Sequence, residues 1–470
     1  MKKTKIVATI GPKTESEEML AKMLNAGMDV MRLNFSHGDF AEHQNRVDNL
    51  RKVIKKTGQS VAILQDLGGP KIRIGSFKTD EVILKVGQTF TLTTDDILGD
   101  ETIVSVNYLL LPKEVKKGHI IFMHDGKKKL EVKEVKGKKV ICKVLVGGEI
   151  KGRRGLNMPD SDLTVKSLTE KDLKDLEFGI KNDVDFIALS FVRRPSDIAE
   201  LRKILDKRKS KAGIIAKIET PQAVSNIDEI ISLCDGIMIA RGDLAIEVPY
   251  EKVPGLQKMM IRKCNDAGKP VITATQMMES MIKSSVATRA EVSDVANAIL
   301  DGTDAVMLSE ESTLGDYPIE AVTVMRTIAK EMEKDYPERA IVRVGEKGET
   351  KVSDSVTSSV VKTAHDVGAR VIVALTDSGF TARMVSRHKP HANILALSPN
   401  NHTSNKLNLS YGCIPVTVPL YNTIEDVIKI VKEHCLKEKL VKKGDKVVIA
   451  AGVPFNTKGL STNMLLVQSI

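Results

Sequence analysis

Four short segments of this 470-residue chain hold side chains whose types and spacing could move a charged group. In AKIET, strand alternation puts Lys217 and Glu219 on one face, and the same reading of ARGDL puts Arg241 beside Asp243. Two acids and two cations then meet at one end of the molecule. Glu219 and Asp243, from neighbouring strands, are the kind of pair that Mg2+ takes together with waters and substrate oxygens. A lysine beside them stabilises charge that develops on a transferred group. A buried Lys217 to Glu219 ion pair of purely structural role accounts for the same spacing, because buried lysines are seldom left unpaired. MRLNFSHG adds Arg32, Asn34 and Ser36 on one face, a phosphate-binding guanidinium with two neutral polar groups. VITATQ adds Thr273 and Thr275, a residue type that strands also hold for packing alone. Together these groups suit a phosphorylated, carboxylate-bearing small substrate with Mg2+. Hydrolase and dinucleotide chemistry find no support, since GxSxG, HExxH, GxGxxG and a P-loop lysine motif are all missing.

Something must bring these segments together. Eight apolar runs rich in Val and Ile, at 5–10, 30–35, 61–66, 186–191, 214–219, 237–243, 271–275 and 305–309, read as strands. Helical stretches separate them, among them 16–25, 43–56 and 169–179, the last opening on Thr169 as N-cap with Asp172 three residues on. Eight β/α units predict an α/β fold of the TIM (β/α)8 barrel type. An open doubly wound sheet alternates in the same way, but polar groups at the C-terminal ends of most strands favour the barrel, which builds its site from several loops at once. Residues 70–166 alternate β-formers between glycine turns and predict a small inserted β domain, a lid that keeps water from the mouth. After a helix at 318–335 and a polar linker at 345–351, helices at 354–367, 381–387 and 424–437 and strands at 371–376, 394–397 and 447–451 predict a third, α/β domain. The expected division is barrel 1–69, lid 70–166, barrel 167–345 and C-terminal domain 346–470.

Composition narrows the partners. At about 150 residues per domain the length suits three domains. A hydrophobic fraction of 42% without a long apolar run predicts no membrane span. The start lacks the features of an export signal, and five scattered cysteines form no CxxC pair, so a reducing cytoplasm is expected. The net charge of +10 fits either nucleic acid or anionic metabolites. No Trp and 3% aromatics argue against base-stacking platforms, and Lys127 to Lys129 reads as a solvated hairpin, so no nucleic-acid partner is expected.

The segments TKIVATIGP, DVMRLNFSHG, DLGGPKIRIG, GRRGLNMP, AKIET, IMIARGDL, ITATQMMESM, TRAEVSDVANAILDGTDAVMLS and LTDSGFTAR, in this order and spacing, resemble the pyruvate kinase family along virtually the whole chain. The start is similar to the short bacterial form. The resemblance implies a TIM barrel, a β lid after the third strand and a C-terminal α/β regulatory domain. It implies the last step of glycolysis: phosphoryl transfer from phosphoenolpyruvate to ADP, giving ATP and an enolpyruvate that is protonated to pyruvate. By position it implies that Arg32 contacts the phosphoryl group, that Lys217 stabilises it in transfer, and that Glu219 and Asp243 hold Mg2+, with Mn2+ as a substitute. The backbone at Gly242 and Asp243 then receives the substrate carboxylate, and Thr275 is the threonine tied to enol protonation. Asn34, Ser36, His37, Arg73 and Arg154 fall on nucleotide-side or cation-side positions, and Ser309 and Glu311 on a proton relay. Arg154 departs from the lysine of many relatives; Ala245, Ser285, Ala287 and Glu310 depart without removing a contacting group.

Many members carry DTKGPEIRTG where this chain has DLGGPKIRIG, and use K+ in a pocket equivalent to Asn34, Ser36, Asp66 and position 67. Here Leu67 removes a hydroxyl and Lys71 reverses a charge, so the resemblance to the lysine-bearing subgroup implies that a tethered ammonium replaces K+. A surface lysine at the lid hinge is the alternative. Thr376, Ser378, Gly379 and Thr381, at a strand-to-helix turn, form a candidate phosphate site for a sugar-phosphate or nucleotide effector, with an ordinary capped helix as the other reading. The second wall, 455–462, differs from the loop of fructose-bisphosphate-sensitive relatives. A homotetramer is the assembly the resemblance implies. A barrel lyase acting on similar acids and a basic nucleic-acid binder remain as rival functions.

Overall fold

The computed structural model describes residues 1–334, 351–457, 459 and 461–470. Eight parallel strands close a barrel: β1 (Lys5–Thr9), β2 (Val30–Asn34), β3 (Ala62–Asp66), β4 (Phe186–Leu189), β5 (Gly213–Ile218), β6 (Gly236–Ala240), β7 (Val271–Ala274) and β8 (Ala305–Leu308). Each strand pairs with its sequence neighbours, and β1 closes the ring on β8. Apolar residues face both the barrel interior and the surrounding helices, which is why these strands read as continuous Val and Ile runs. All eight expected strands form. The sixth stops at Ala240, because Arg241–Glu247 turns into a helix.

The helix Glu170–Lys181 opens with the expected capping box between Thr169 and Asp172. Asp172 does a second job: its Oδ1 accepts the Gly69 N–H at 3.0 Å, at the point where the chain leaves the barrel for the lid. Gly69 has φ +67°, and a Cβ there would lie 2.9 Å from Ser190 Cβ, so only glycine fits this hinge. The lid is a six-stranded sheet with a two-stranded ribbon, packed on its own core around Phe90, Leu92, Ile121 and Leu130.

The third domain is a five-stranded sheet in the order Cys413–Thr417, Asn393–Ser398, Val371–Leu375, Lys446–Ala451 and Met464–Ser469, the last strand antiparallel. Both edge strands escaped sequence reading: the first carries Pro415, and the other is only partly covered. The short helix Asn401–Leu407 was also missed. The expected linker at 345–350 lies outside the described residues, and the preceding helix runs Pro318–Met332.

This domain seals the base of the barrel. Leu409 is fully buried in the barrel's interior cluster, beside Val7, Ile215, Met238 and Met307. Lys389, itself fully buried, reaches Asp304 at the foot of β8 at 2.8 Å, and Asp304 also accepts the Tyr411 N–H at 3.0 Å. Leu409→Ala should lower stability by about 2 to 5 kcal/mol, the cost of an unfilled core cavity. Urea unfolding followed by circular dichroism measures it. A loss within about 0.5 kcal/mol, as at a surface site, would remove Leu409 from the barrel core.

Candidate functional site

The strand ends form a buried ionic cluster at the C-terminal mouth. Asp66, at the end of β3, is 1% exposed and takes the Arg32 guanidinium of β2 on one oxygen, with Nε at 2.8 Å and a terminal nitrogen at 2.7 Å. Its other oxygen lies 3.2 Å from Lys217 Nζ of β5. Lys217 also sits 3.1 Å from Glu219 and donates to Ser190 Oγ at 2.7 Å. Arg32 donates in addition to Thr9 Oγ1 of β1 at 2.8 Å. One carboxylate thus gathers two cations from two other strands.

Burial and charge pull these groups in opposite directions. Burial pushes the Asp66 carboxyl up, but Lys217 and Arg32 outweigh it and hold the group below the usual carboxylate range. Burial likewise pushes Lys217 down, and Asp66 and Glu219 overcome it, so the ammonium stays charged. Glu219 goes the other way: burial raises it, Lys217 offsets only part, and Asp243 raises it further. Two carboxylates that repel each other in a buried mouth are the donor chemistry a hard divalent cation neutralises. The residues therefore fit Mg2+. Glu219 is also held in place, since its other oxygen accepts the Phe191 N–H at 2.6 Å.

Asp243 lies in the first turn of the helix Arg241–Glu247, not on a strand. This corrects the pairing of Arg241 with Asp243. Arg241 leaves the mouth to meet Asp294 at 2.7 Å and the carbonyls of Ala274 and Thr275. Thr273 is corrected as well, being fully buried and bonded to Thr303 Oγ1 at 3.0 Å. Thr275 stands one residue past β7 with φ +69°, rare for a β-branched residue, and its Oγ1 accepts the Gly242 N–H at 2.7 Å. Gln276 and Phe191 also have positive φ, so three non-glycine residues at strand exits hold strained backbone around the mouth.

The other expected residues divide between mouth, lid and base. Asn34 ends β2 and accepts the Ser36 N–H at 3.1 Å, while Ser36 and His37 lie exposed in the following turn. Leu67 is buried just past Asp66. Lys71 lines the crevice between lid and barrel with its stem against Gly155, and its ammonium makes no ion pair among the described residues. Arg73 donates to the Arg153 carbonyl at 3.2 Å, and Arg154 carries a buried Nε with no partner among the described residues. Ser309 follows β8, and Glu311 accepts the N–H groups of Ser309 and Met278 at 2.7 and 3.2 Å; burial raises its carboxyl despite them. In the third domain Thr376, Ser378, Gly379 and Thr381 surround the start of the helix Phe380–Ser386, where Thr381 bonds Thr462 Oγ1 at 2.9 Å. Of the second wall, residues 458 and 460 lie outside the described residues.

Sequence reading missed Thr9, Ser190 and Phe191 as parts of the mouth. Asp66 was read only as a cation-pocket residue, although its position at a strand's C-terminal end was the available signal. Asn157 of the lid and Glu247 were missed too. Glu247 accepts Asn157 Nδ2 at 2.8 Å, and its carboxyl is pushed up to about 7, chiefly by burial, with Asp243 and Glu219 adding to it.

Comparison with known proteins agrees with this geometry. A family model described as pyruvate kinase, barrel domain, matches residues 1–322, and one described as pyruvate kinase, alpha/beta domain, matches 354–468. The pyruvate kinase of Staphylococcus epidermidis is 44% identical over 474 residues, spanning 100% of this chain and 81% of that protein. That of Staphylococcus saprophyticus is 46% identical over 470 residues, spanning 99% and 80%. A crystal structure of a pyruvate kinase from Cryptosporidium parvum superimposes with a TM-score of 0.93 at 38% identity, covering 100% of this chain and 96% of the other. Among the described residues no helix is long and apolar enough to cross a membrane. With a closed barrel, an inserted β domain and a C-terminal α/β domain, the chain belongs to the pyruvate kinase family, phosphotransferases that pass the phosphoryl group of phosphoenolpyruvate to ADP and release pyruvate and ATP.

Proposed function

We propose that phosphoryl transfer takes place over the Arg32, Asp66 and Lys217 cluster, and the convergence of two cations on one buried carboxylate carries this reading. Arg32 and Lys217 are charged, desolvated and fixed before substrate arrives, so they meet the transferring phosphoryl oxygens without reorganisation. Gly242 N–H and Thr275 Oγ1 face one another at 2.7 Å, and together they receive the substrate carboxylate and the enol carbon's side of the reaction. Glu219 and Asp243 would hold Mg2+, or Mn2+ in its place. When bound there the metal supplies Lewis-acid charge to substrate oxygens. Arg73 and Arg154 stand on the lid side for the ADP phosphates, and the Nε of Arg154, buried without a partner among the described residues, favours an anionic one. Asn34 and His37 complete the nucleotide side. Thr275, with Ser309 and Glu311 as the candidate relay at the end of β8, passes the proton that converts enolpyruvate to pyruvate. Water is excluded by the lid during transfer.

Coupled assays in which phosphoenolpyruvate, ADP and Mg2+ are omitted in turn test the reaction. Pyruvate formation without ADP would instead identify a lyase. Lys217→Met should lower turnover about a hundredfold or more with an unchanged circular dichroism spectrum, the scale of losing one preorganised electrostatic group. Glu219→Gln should shift Mg2+ activation to higher concentration, because a carboxamide binds a hard cation poorly. Near-normal turnover with a lowered melting temperature would reduce Lys217 to a structural ion pair.

The monovalent cation is the second part of the proposal: Lys71 takes the place of K+. The cation pocket of Asn34, Ser36 and Asp66 here includes the buried apolar Leu67, and the Lys71 ammonium, which makes no ion pair among the described residues, stands at the lid crevice. Activity in Tris or cyclohexylammonium salts should match that in K+. A drop of more than about tenfold without K+, restored by adding it, would show that no tethered charge replaces the ion.

The third domain is proposed to bind a sugar-phosphate or nucleotide effector at Thr376, Ser378, Gly379 and Thr381, in a homotetramer working in the cytoplasm. Sedimentation velocity together with phosphoenolpyruvate saturation curves measures both. A monomer at assay concentration, or curves that no such effector moves, would set aside the corresponding claim.

A further inference from the structure

The helix Arg241–Glu247 faces two ways. Its first turn presents the Gly242 N–H to Thr275, and its last turn is gripped by the lid. Glu247 Oε1 accepts Asn157 Nδ2 at 2.8 Å, and the Met158 backbone N–H adds to the same carboxylate. A second lid segment, the turn at Gly126, comes so close that a methyl group there would lie 3.7 Å from Ile246. Of the other side-chain ties between lid stem and barrel, Arg193 donates to the Val165 carbonyl at the root of the stem, where the chain is about to re-enter the barrel, and so anchors the hinge and not the cover; the remaining two are weaker by position. Arg194 meets Asp162 at 2.9 Å with both side chains more than half exposed, where ion pairs contribute little. Gln222 reaches the Ser161 carbonyl only at 3.5 Å. Asn157 and Glu247, by contrast, line a residual crevice of about 50 Å3 under the lid stem, largely withdrawn from water.

We propose that the Asn157 to Glu247 hydrogen bond is the latch that holds the lid over the barrel mouth, which makes Glu247 a positioning residue for the nucleotide. This inference rests on the reading of the lid as the nucleotide's cover. Phosphoenolpyruvate is held by barrel groups, Arg32, Lys217 and the Gly242 N–H, none of which is contributed by the lid, so releasing the lid leaves its site intact. The nucleotide binds to the closed arrangement, and its apparent affinity falls by the fraction of molecules that are no longer closed. The latch sits at the far end of the helix from Gly242, whose N–H is held separately by Thr275 Oγ1 at 2.7 Å, so the start of the helix keeps its place when the latch is broken.

The test is a donor and acceptor exchange, with thermal melting to confirm that each variant is folded. Assayed at about pH 8, where the Glu247 carboxyl, pushed up to about 7, is ionised, Asn157→Ala should raise KM for ADP about tenfold, the scale of losing a hydrogen bond to a charged group, with kcat and KM for phosphoenolpyruvate nearly unchanged. Asn157→Asp should be at least as poor, since it sets two carboxylates against each other. Adding Glu247→Gln to Asn157→Asp reverses donor and acceptor across the same gap, and KM for ADP should return to within about twofold of the parent, the coupling expected of residues in contact. A parent-like KM for ADP in Asn157→Ala, or a double variant no better than Asn157→Asp alone, would overturn the latch. The unaltered protein is assayed alongside: if it forms no pyruvate with ADP, the reaction itself fails, whereas an active parent with uncoupled variants sinks the latch alone.

Discussion

The mouth of this barrel is organised around the burial of one negative charge. Asp66 is almost wholly withdrawn from water, and an isolated carboxylate in such a place would take up a proton. It stays ionised because Arg32 and Lys217 come from strands on either side of it in the barrel. The same contact fixes the two cations. Each is desolvated and pointed at a common locus, so the cost of orienting them is met during folding and not during turnover. Glu219 then shares Lys217 with Asp66, which leaves it under-compensated beside Asp243. That imbalance is what suits the pair to a bound cation. A mouth in which every charge was neutralised would be more stable and would have nothing to offer a substrate.

Strain is concentrated at the same end. Phe191, Thr275 and Gln276 adopt left-handed backbone as their strands leave the sheet, and each is tied to the chemistry around it. The Phe191 N–H holds Glu219, and Thr275 turns its hydroxyl to the Gly242 N–H. Conformations that cost free energy persist here because the closed barrel overdetermines them. The lid hinge obeys the same logic at Gly69, where the approach of Ser190 excludes any side chain.

The opposite end of the barrel has been given to stability. Leu409 fills the interior from below, and the Lys389 to Asp304 pair is sealed between domains with the Tyr411 N–H completing it. The third domain is therefore part of the barrel's core and not an appendage, and a movement of that domain would be felt at the foot of β8. Strand β8 leads directly to Ser309 and Glu311 at the mouth.

The amino-acid sequence by itself determined the eight strands, the inserted β domain and most of the third domain, because each element buries both faces or one stripe and so writes its period into the chain. It also singled out candidates for the chemistry, Arg32, Lys217, Glu219, Asp243 and Thr275, by type and by place at or just past strand ends. Strand alternation misled where a strand had already ended, as with Arg241, whose helix turned it towards Asp294. Only the tertiary structure decided the partners. Asp66 meets Lys217 across some 150 residues of sequence, Asn157 of the inserted domain meets Glu247 of the barrel 90 residues later, and Leu409 enters a core whose strands lie about 100 to 400 residues earlier. Local periodicity reports which face is buried, whereas long-range pairing depends on how the ring closes and where the lid and base settle on it. Ordering of that kind leaves no period in the chain, and so the centre of the mouth, the latch and the plug became visible only in three dimensions.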